Sequence, residues 1–148
     1  VAATDISAEA LSLARENAQA PDLTGRVDFF EGDLFDALEG EWADGPLDMI
    51  VSNPPYIATD EVDEMGEDVK KHEPDGALFA GDDGLEVIRR LVPEAFARLK
   101  EQGHLLCEIG HRQRDAVVAI FEEAGFVPVD VFKDLGQRDR VVVGTKPA

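Results

Sequence analysis

The sequence has few of the residues that disulfides and metal sites require. A single cysteine, Cys107, excludes a disulfide within the chain, and three scattered histidines have no metal-ligand spacing. No apolar run approaches the roughly 18 residues that a membrane span needs. We therefore expect no metal, no membrane partner and a reducing, cytoplasmic location. Cys107 itself lies in an apolar run, which predicts a core residue rather than a reactive thiol.

Basic residues are also scarce. The chain has 14 of them against 32 acidic residues, a net charge of −18, which argues against direct binding of a nucleic acid backbone. This acidity fits either a surface that recognises a basic protein or an adaptation to high salt, where counterions screen the repulsion. Because the acidic residues are spread along the chain, we favour the adaptation to salt.

The chain is organised around residues 47–56, an apolar strand that runs into two prolines. Its apolar residues predict a strand that is buried on both faces, as in a parallel sheet. Pro54 and Pro55 lack N–H groups and fix φ, so the strand ends there and the backbone carbonyls can face a ligand. Asn53 adds a side-chain acceptor and Tyr56 a flat aromatic face. This cluster suits a planar NH2 group, although the same residues also occur in plain loops.

The first part of the chain predicts a strand–helix–strand unit. A strand over residues 1–4 ends at Asp5, and Ser7 is a good N-cap for the helix that follows. At the carboxyl end of such a strand, a carboxylate can accept two hydrogen bonds from a ribose diol. A second strand over residues 27–31 leads to Asp33 and Leu34. Each aspartate could instead be an ordinary loop or cap residue.

The remaining elements continue the β-α alternation. A helix with apolar residues from Leu85 to Leu99 should kink or break near Arg89 because of Pro93, and Gly103 should end it. Two loops are expected, one over 39–46 in which Trp42 packs and an acidic loop or lid over 57–73. The other expected elements are a strand over 104–109, a helix over 112–124 capped by Gly125, and an antiparallel hairpin of strands 126–132 and 140–144. The turn around residues 81–84 could hold a helix cap. The predicted fold is α/β, with a doubly wound mixed sheet.

Eight short segments, spread in order over the whole chain, match the pattern of one enzyme family. They are VAATD at 1–5, ALSLARENA at 10–18, GDLF at 32–35, IVSNPPYI at 50–57, EPDGAL at 73–78, GDDGL at 81–85, DLG at 134–136 and DRV at 139–141. In these segments the chain resembles the protein-(glutamine-N5) methyltransferases that act on peptide-chain release factors, within the class I S-adenosylmethionine-dependent enzymes.

The resemblance implies a Rossmann-like sheet of strand order 3-2-1-4-5-7-6 and assigns roles to seven residues. Asn53, Pro54, Pro55 and Tyr56 would form the catalytic turn that holds the substrate amide. S-adenosyl-L-methionine would be held by Asp5 at the ribose, by Asp33 at the adenine amino group, by Leu34 beside the base, and by Asn53. The implied substrate is a glutamine in a release factor. An amino group of adenine or guanine in nucleic acid is the alternative, because a flipped base presents a similar NH2 group.

One part of the family pattern is absent from the sequence. No strand with a glycine-rich turn precedes the strand that ends at Asp5. We therefore expect residues 1–148 to be a single domain, the C-terminal part of a methyltransferase catalytic domain that lacks the first strand. The strands on either side of the missing one should then have unpaired edges, and a catalytically incomplete fragment is a further alternative.

Overall fold

The computed structural model describes residues 1–19, 23, 25–56 and 83–148. The chain divides into two compact units, Val1–Gly45 and Pro46–Ala148, and each is described by itself. The acidic segment 57–73, the Glu73-Pro74 pair and the Gly81-Asp82 pair lie outside the described residues.

The first unit is built on a parallel pair of strands. Strand β1 (Ala2–Asp5) leads into helix α1 (Ala8–Asn17), and β2 (Asp28–Glu31) pairs with β1. The predicted N-cap is confirmed, since Ser7 Oγ accepts a hydrogen bond from the Ala10 N–H at 3.2 Å. Leu11 is the buried residue of this helix.

Two short elements complete the first unit after β2. A 3₁₀ turn covers Leu34–Ala37, and helix α2 covers Glu41–Asp44, inside the segment that we predicted to be a loop. Trp42 Nε1 donates a hydrogen bond to Asp28 Oδ2 at 2.9 Å, so this indole is tied to the start of β2. This contact agrees with a packing role for Trp42.

The second unit contains a four-stranded mixed sheet in the order β3-β4-β6-β5. Its strands are β3 (Leu47–Ser52), β4 (Leu99–Glu108), β5 (Val129–Lys133) and β6 (Asp139–Thr145). β3 and β4 are parallel, whereas β6 runs antiparallel to both β4 and β5. The hairpin is therefore confirmed, and the strand order matches the last four strands of the implied family order.

Helices α3 (Glu86–Arg98) and α4 (Arg114–Ala124) each contribute buried residues to the core of this unit. Of the kink or break that we predicted near Arg89, the break is not found, because α3 continues through Pro93 to Arg98. The apolar face of α3 explains this, since packing of a buried face can outweigh one lost hydrogen bond. Gly125 caps α4 with φ 103°, as predicted. The fully buried core includes Ile88, Val92, Ala95, Leu105, Cys107, Ile109, Val117, Phe121, Phe126 and Val142.

Strand β4 begins earlier than the sequence predicted, at Leu99 instead of His104. Leu47 pairs with Leu99 and Met49 with His104, so β4 has three extra residues in an irregular bulge. Gln102 has a positive φ of 63° there, and a Cβ on Gly103 would lie 2.9 Å from the Lys100 carbonyl oxygen. Gly103 therefore permits a tight bulge within the strand and does not end a helix.

The expectation that β3 is buried on both faces is wrong for the described residues. Ile50 is 8% exposed, but Met49 and Val51, which point to the opposite face, are 55% and 71% exposed. Within the described part of the chain β3 pairs only with β4, so it is an edge strand with one covered face. An apolar strand is buried on both faces only when other secondary-structure elements pack against both faces of its sheet.

The prediction for Cys107 is confirmed, because its side chain is fully buried in β4. Burial, with the nearby Glu108 charge, raises the pKa of its thiol to about 12. Among the helices that the structure describes, none is long and apolar enough to cross a membrane.

Candidate functional site

The carboxyl ends of β1 and β2 bring two of the predicted site residues to one edge of the first unit. Asp5 pairs with Glu31 in the parallel register, and Asp33 follows two residues later. Both aspartates are exposed. Asp5 Oδ1 accepts a hydrogen bond from the Ser7 N–H at 2.8 Å, which orients this carboxylate at the end of the strand. The edge therefore presents two carboxylates as hydrogen-bond acceptors.

The backbone turns sharply around Asp33. Leu34 has a positive φ of 46°, a conformation that is uncommon for a residue other than glycine. The Asp33 side chain makes no cap hydrogen bond to the 3₁₀ turn, while its backbone carbonyl accepts from the Asp36 N–H at 3.0 Å. Asp33 thus occupies the N-cap position of the 3₁₀ turn, as the cap alternative expected, but through its backbone and without a side-chain cap hydrogen bond. Leu34 is half-buried beside it.

The second unit presents the Asn-Pro-Pro-Tyr turn (residues 53–56) at the carboxyl end of β3. Asn53 is exposed, Pro54 is buried, and Pro55 and Tyr56 are half-buried. β3 and β4 are parallel and pair up to Ser52 and Cys107. The turn after β4, residues 110–113, therefore lies at the same sheet edge, where open α/β sheets bind their ligands.

Gln113 joins the two turns at this edge. Its Nε2 donates to the backbone carbonyls of Tyr56, at 2.9 Å, and of Gly84, at 3.2 Å. Its Oε1 accepts from the Gly110 N–H at 2.9 Å. We did not predict a role for Gln113 from the sequence, because it lies inside a segment that we interpreted only as the start of a helix. A glutamine just after a glycine turn at a strand end was the only available signal.

The segment before α3 is also held by side chains. Asp83 Oδ1 accepts from the Leu85 N–H at 3.1 Å and from Arg89 Nη1 at 3.0 Å, and Gly84 has a φ of 72°. The Arg89 guanidinium, followed by the Leu85 N–H, holds the pKa of Asp83 below its usual value. Asp83 therefore orders the backbone that carries the Gly84 carbonyl, but it does not cap the helix: the N-cap position is Leu85, which has no side-chain cap hydrogen bond, so the helix cap considered for this turn is not found at Asp83.

Arg140 supports the same edge from β6. Its backbone carbonyl accepts from the Ile109 N–H at 2.9 Å, and its Nη1 donates to the Ile109 carbonyl at 3.2 Å. Its guanidinium also lies 3.3 Å from Asp134 Oδ2. Hydrogen bonds from the Arg138 N–H and then from Arg140 lower the pKa of Asp134. Through Asp134 and Arg140, the DLG and DRV segments thus hold the carboxyl end of β4 in place by hydrogen bonds.

The donor and acceptor set of the first unit fits S-adenosylmethionine. The exposed carboxylates of Asp5 and Asp33 can accept hydrogen bonds from hydroxyl and amino groups, and Leu34 offers an apolar side chain next to Asp33. Within the described ranges, no group of three or more His, Cys, Asp or Glu residues could hold a metal ion.

The chain is similar to known methyltransferases over almost its whole length. A family model, the methyltransferase small domain, matches residues 1–73. Release factor glutamine methyltransferases from Caulobacter vibrioides and Deinococcus radiodurans are 44% and 46% identical, each over 96% of this chain and 48% of the relative. The chain thus spans about half the length of the curated relatives it matches.

The fold comparison agrees with this similarity. A crystal structure of a methyltransferase from Pyrococcus furiosus covers the chain completely with a TM-score of 0.69 at 19% sequence identity, and the chain covers 63% of that structure. The predicted mixed α/β architecture is confirmed. By structure the chain has the Rossmann-like fold of class I methyltransferases, and by sequence it is similar to the release factor glutamine methyltransferases.

Proposed function

We propose that the protein carrying this chain transfers a methyl group from S-adenosylmethionine to the side-chain amide nitrogen of a glutamine in a translation release factor. The observation that carries the proposal is the exposed Asn53, which lies at the carboxyl end of the parallel strand β3 in a turn that two prolines restrict. The similarity to release factor glutamine methyltransferases over 96% of the chain supports the same substrate. The single buried cysteine suits a cytoplasmic reaction.

The NPPY turn binds and orients the substrate amide. The Asn53 side-chain carbonyl and the Pro54 backbone carbonyl accept the two hydrogens of the NH2 group. Tyr56 packs over the planar amide, where its aromatic face also favours a nearby cationic methyl group. Pro55 restricts the backbone between these contacts, so the acceptors stay in place without a further loss of conformational freedom.

S-adenosylmethionine would be held by the residues that the sequence singled out. Asp5 would accept hydrogen bonds from the ribose hydroxyls, Asp33 would accept from the adenine amino group, and Leu34 would pack against the base. The resemblance also assigns Asn53 to cofactor binding. When bound, S-adenosylmethionine supplies an electrophilic methyl group on a sulfonium ion.

Positioning is the main task of these side chains. A carboxamide nitrogen is a weak nucleophile, because its lone pair is delocalised into the carbonyl. Acceptors that hold both N–H hydrogens orient the nitrogen for in-line attack and favour localisation of the lone pair. No strong base is needed before transfer, since the methylated nitrogen becomes acidic and releases its proton afterwards.

The experiment compares the two asparagines of the chain in the full-length protein. Asn53→Ala should lower kcat on the order of 10²-fold, because the amide loses its orientation. The Kd of S-adenosylmethionine should change by less than about fivefold. Asn17→Ala removes the same side chain from the exposed end of α1 and should leave both values unchanged.

Methyl transfer is measured with labelled cofactor against a release factor and against nucleic acid. Incorporation into a single glutamine of the release factor is the expected result. Incorporation into nucleic acid alone would favour the alternative substrate, and full turnover in Asn53→Ala would remove the turn from the mechanism. We also propose that the chain is part of a larger catalytic domain, which is supported by the edge of β3 that has no partner strand among the described residues.

A further inference from the structure

The two prolines of the NPPY turn create a structural problem for this site. Pro54 and Pro55 have no N–H groups, so between Asn53 and Tyr56 the turn cannot be anchored by backbone donors. The β3–β4 pairing fixes the chain only up to Ser52. Pro54 and Pro55 themselves can therefore accept hydrogen bonds but not donate them, and a donor from another segment can hold the far end of the turn through the Tyr56 carbonyl oxygen.

Gln113 supplies this anchor at the Tyr56 carbonyl. The 2.9 Å hydrogen bond from Gln113 Nε2 joins residues that are 57 positions apart in the sequence. The second Nε2 hydrogen goes to the Gly84 carbonyl and Oε1 binds the Gly110 N–H. One planar amide thus connects three separate segments: the NPPY turn, the start of α3 and the turn after β4.

Only a carboxamide side chain can make this set of bonds. Two carbonyl partners require two donors, and the Gly110 N–H requires an acceptor in the same plane. Lysine and arginine have no acceptor, and an ionised glutamate has no donor. An asparagine at the same position would be one methylene too short for the observed distances.

The backbone of Gln113 is fixed as firmly as its side chain. Its N–H donates to the Gly110 carbonyl at 2.9 Å, and its own carbonyl accepts from the Val117 N–H at 2.9 Å in the first turn of α4. The side chain is half-buried, which strengthens its hydrogen bonds relative to those in water. Gly110 packs closely against both residues of this contact. A Cβ at position 110 would lie 3.0 Å from Gln113 Oε1 and 3.4 Å from the Tyr56 ring.

From these contacts we infer that Gln113 is a positioning residue of the methyl-transfer reaction. It holds the NPPY turn at Tyr56, so that the Asn53 side chain and the Pro54 carbonyl keep the geometry in which they accept hydrogen bonds from the substrate amide. This inference rests on the proposed function of the turn. It assigns to Gln113 no contact with the substrate or the cofactor.

Two substitutions in the full-length protein separate the bonds of Gln113. Gln113→Glu keeps an acceptor for the Gly110 N–H but places carboxylate oxygens against the carbonyls of Tyr56 and Gly84. Gln113→Met has a similar length and removes all three bonds. Gln102→Glu adds the same charge at an exposed residue of β4 and is the matched control.

Both Gln113 variants should lower kcat by about ten- to a hundredfold, the scale expected when reacting groups are misplaced by about 1 Å. KM for the release factor should rise, whereas the Kd of S-adenosylmethionine should stay within about twofold. Amide hydrogen exchange at Asn53 and Tyr56 should become at least about fivefold faster, with exchange in the β4–β6 ladder unchanged. Gln102→Glu should match the unsubstituted protein in every measurement.

The outcomes distinguish the inference from the proposed function. If the unsubstituted protein methylates glutamine and both Gln113 variants keep its kcat per folded molecule, the positioning role is wrong even where the melting temperature falls. Unchanged exchange at Asn53 and Tyr56 in Gln113→Met would also overturn it. If the unsubstituted protein methylates no glutamine, the proposed function fails, and the exchange measurement still tests whether Gln113 holds the turn.

Discussion

Lys146 holds the end of α3 through a pair of charged hydrogen bonds. Its Nζ donates to the backbone carbonyls of Phe96, at 2.8 Å, and Leu99, at 2.7 Å, and lies 5.0 Å from the centre of the Phe96 ring. The last carbonyls of a helix have no partner within the helix, and a cation there also interacts favourably with the helix dipole. Lys146→Met keeps much of the aliphatic stem and removes these interactions.

The expected loss of stability follows from the number of bonds and their burial. A hydrogen bond from a charged group contributes about 1.5–3 kcal/mol, but the two bonds share one donor and water can reach the half-buried site after substitution. We therefore expect Lys146→Met to lower the free energy of unfolding by about 2–3 kcal/mol. Lys100→Met is the matched control, because it removes the same charge from a pair with Asp48 that is largely exposed. Such exposed pairs contribute about 0–1 kcal/mol.

Cys107 provides the assay, because it is buried in the same unit and its thiol pKa is raised to about 12. A thiol reagent can then modify it only after the unit opens, and mass spectrometry of the peptide carrying Cys107 measures the rate. A loss of 2–3 kcal/mol should accelerate labelling by roughly 30- to 150-fold, and Lys100→Met by about fivefold or less. Equal acceleration in the two variants would refute the role of Lys146. Rapid labelling of the unsubstituted protein would refute the burial of Cys107.

Two further predictions concern charge. The pKa of Asp134 is lowered in the folded state. The contribution of Asp134 to stability is therefore present above the unfolded pKa of about 3.9 and is lost as the pH falls through the lower folded pKa. Asp134→Asn should destabilise the protein at neutral pH, and denaturant unfolding should show that the difference from the unsubstituted protein shrinks below about pH 4. A destabilisation of equal size at every pH would contradict this. If the net charge of −18 is an adaptation to salt, the melting temperature should rise between about 0.1 and 1 M KCl, as the Debye length falls from about 10 to 3 Å. A melting temperature that is independent of KCl would contradict that interpretation.

Features that depend on neighbouring residues were predictable from the sequence. The Ser7 cap and the Gly125 cap each follow from one residue type at a helix end. The β5–β6 hairpin follows from two apolar segments and a short polar turn. The order of the four strands of the second unit came from the family resemblance, since local patterns alone do not determine which strands pair.

Three of the errors arise where distant parts of the chain decide the outcome. Pro93 lies within α3 because the helix buries an apolar face against the core. β4 starts at Leu99 because Leu47 pairs with it across the sheet, which no pattern within β4 reveals. The uncovered face of β3 was missed for the same reason, since the hydrophobicity of a strand does not show whether a layer exists to cover it.

The candidate turn shows why local and distant restraints have to act together. Pro54 and Pro55 restrict φ within the turn, which is a local effect and made the turn recognisable in the sequence. They do not fix where the turn lies relative to the sheet, because they remove two of its backbone donors. A side chain from elsewhere supplies an attachment, since Gln113 donates to carbonyls 57 and 29 residues away. A reaction that depends on the orientation of one amide needs both the rigid turn and the distant anchor.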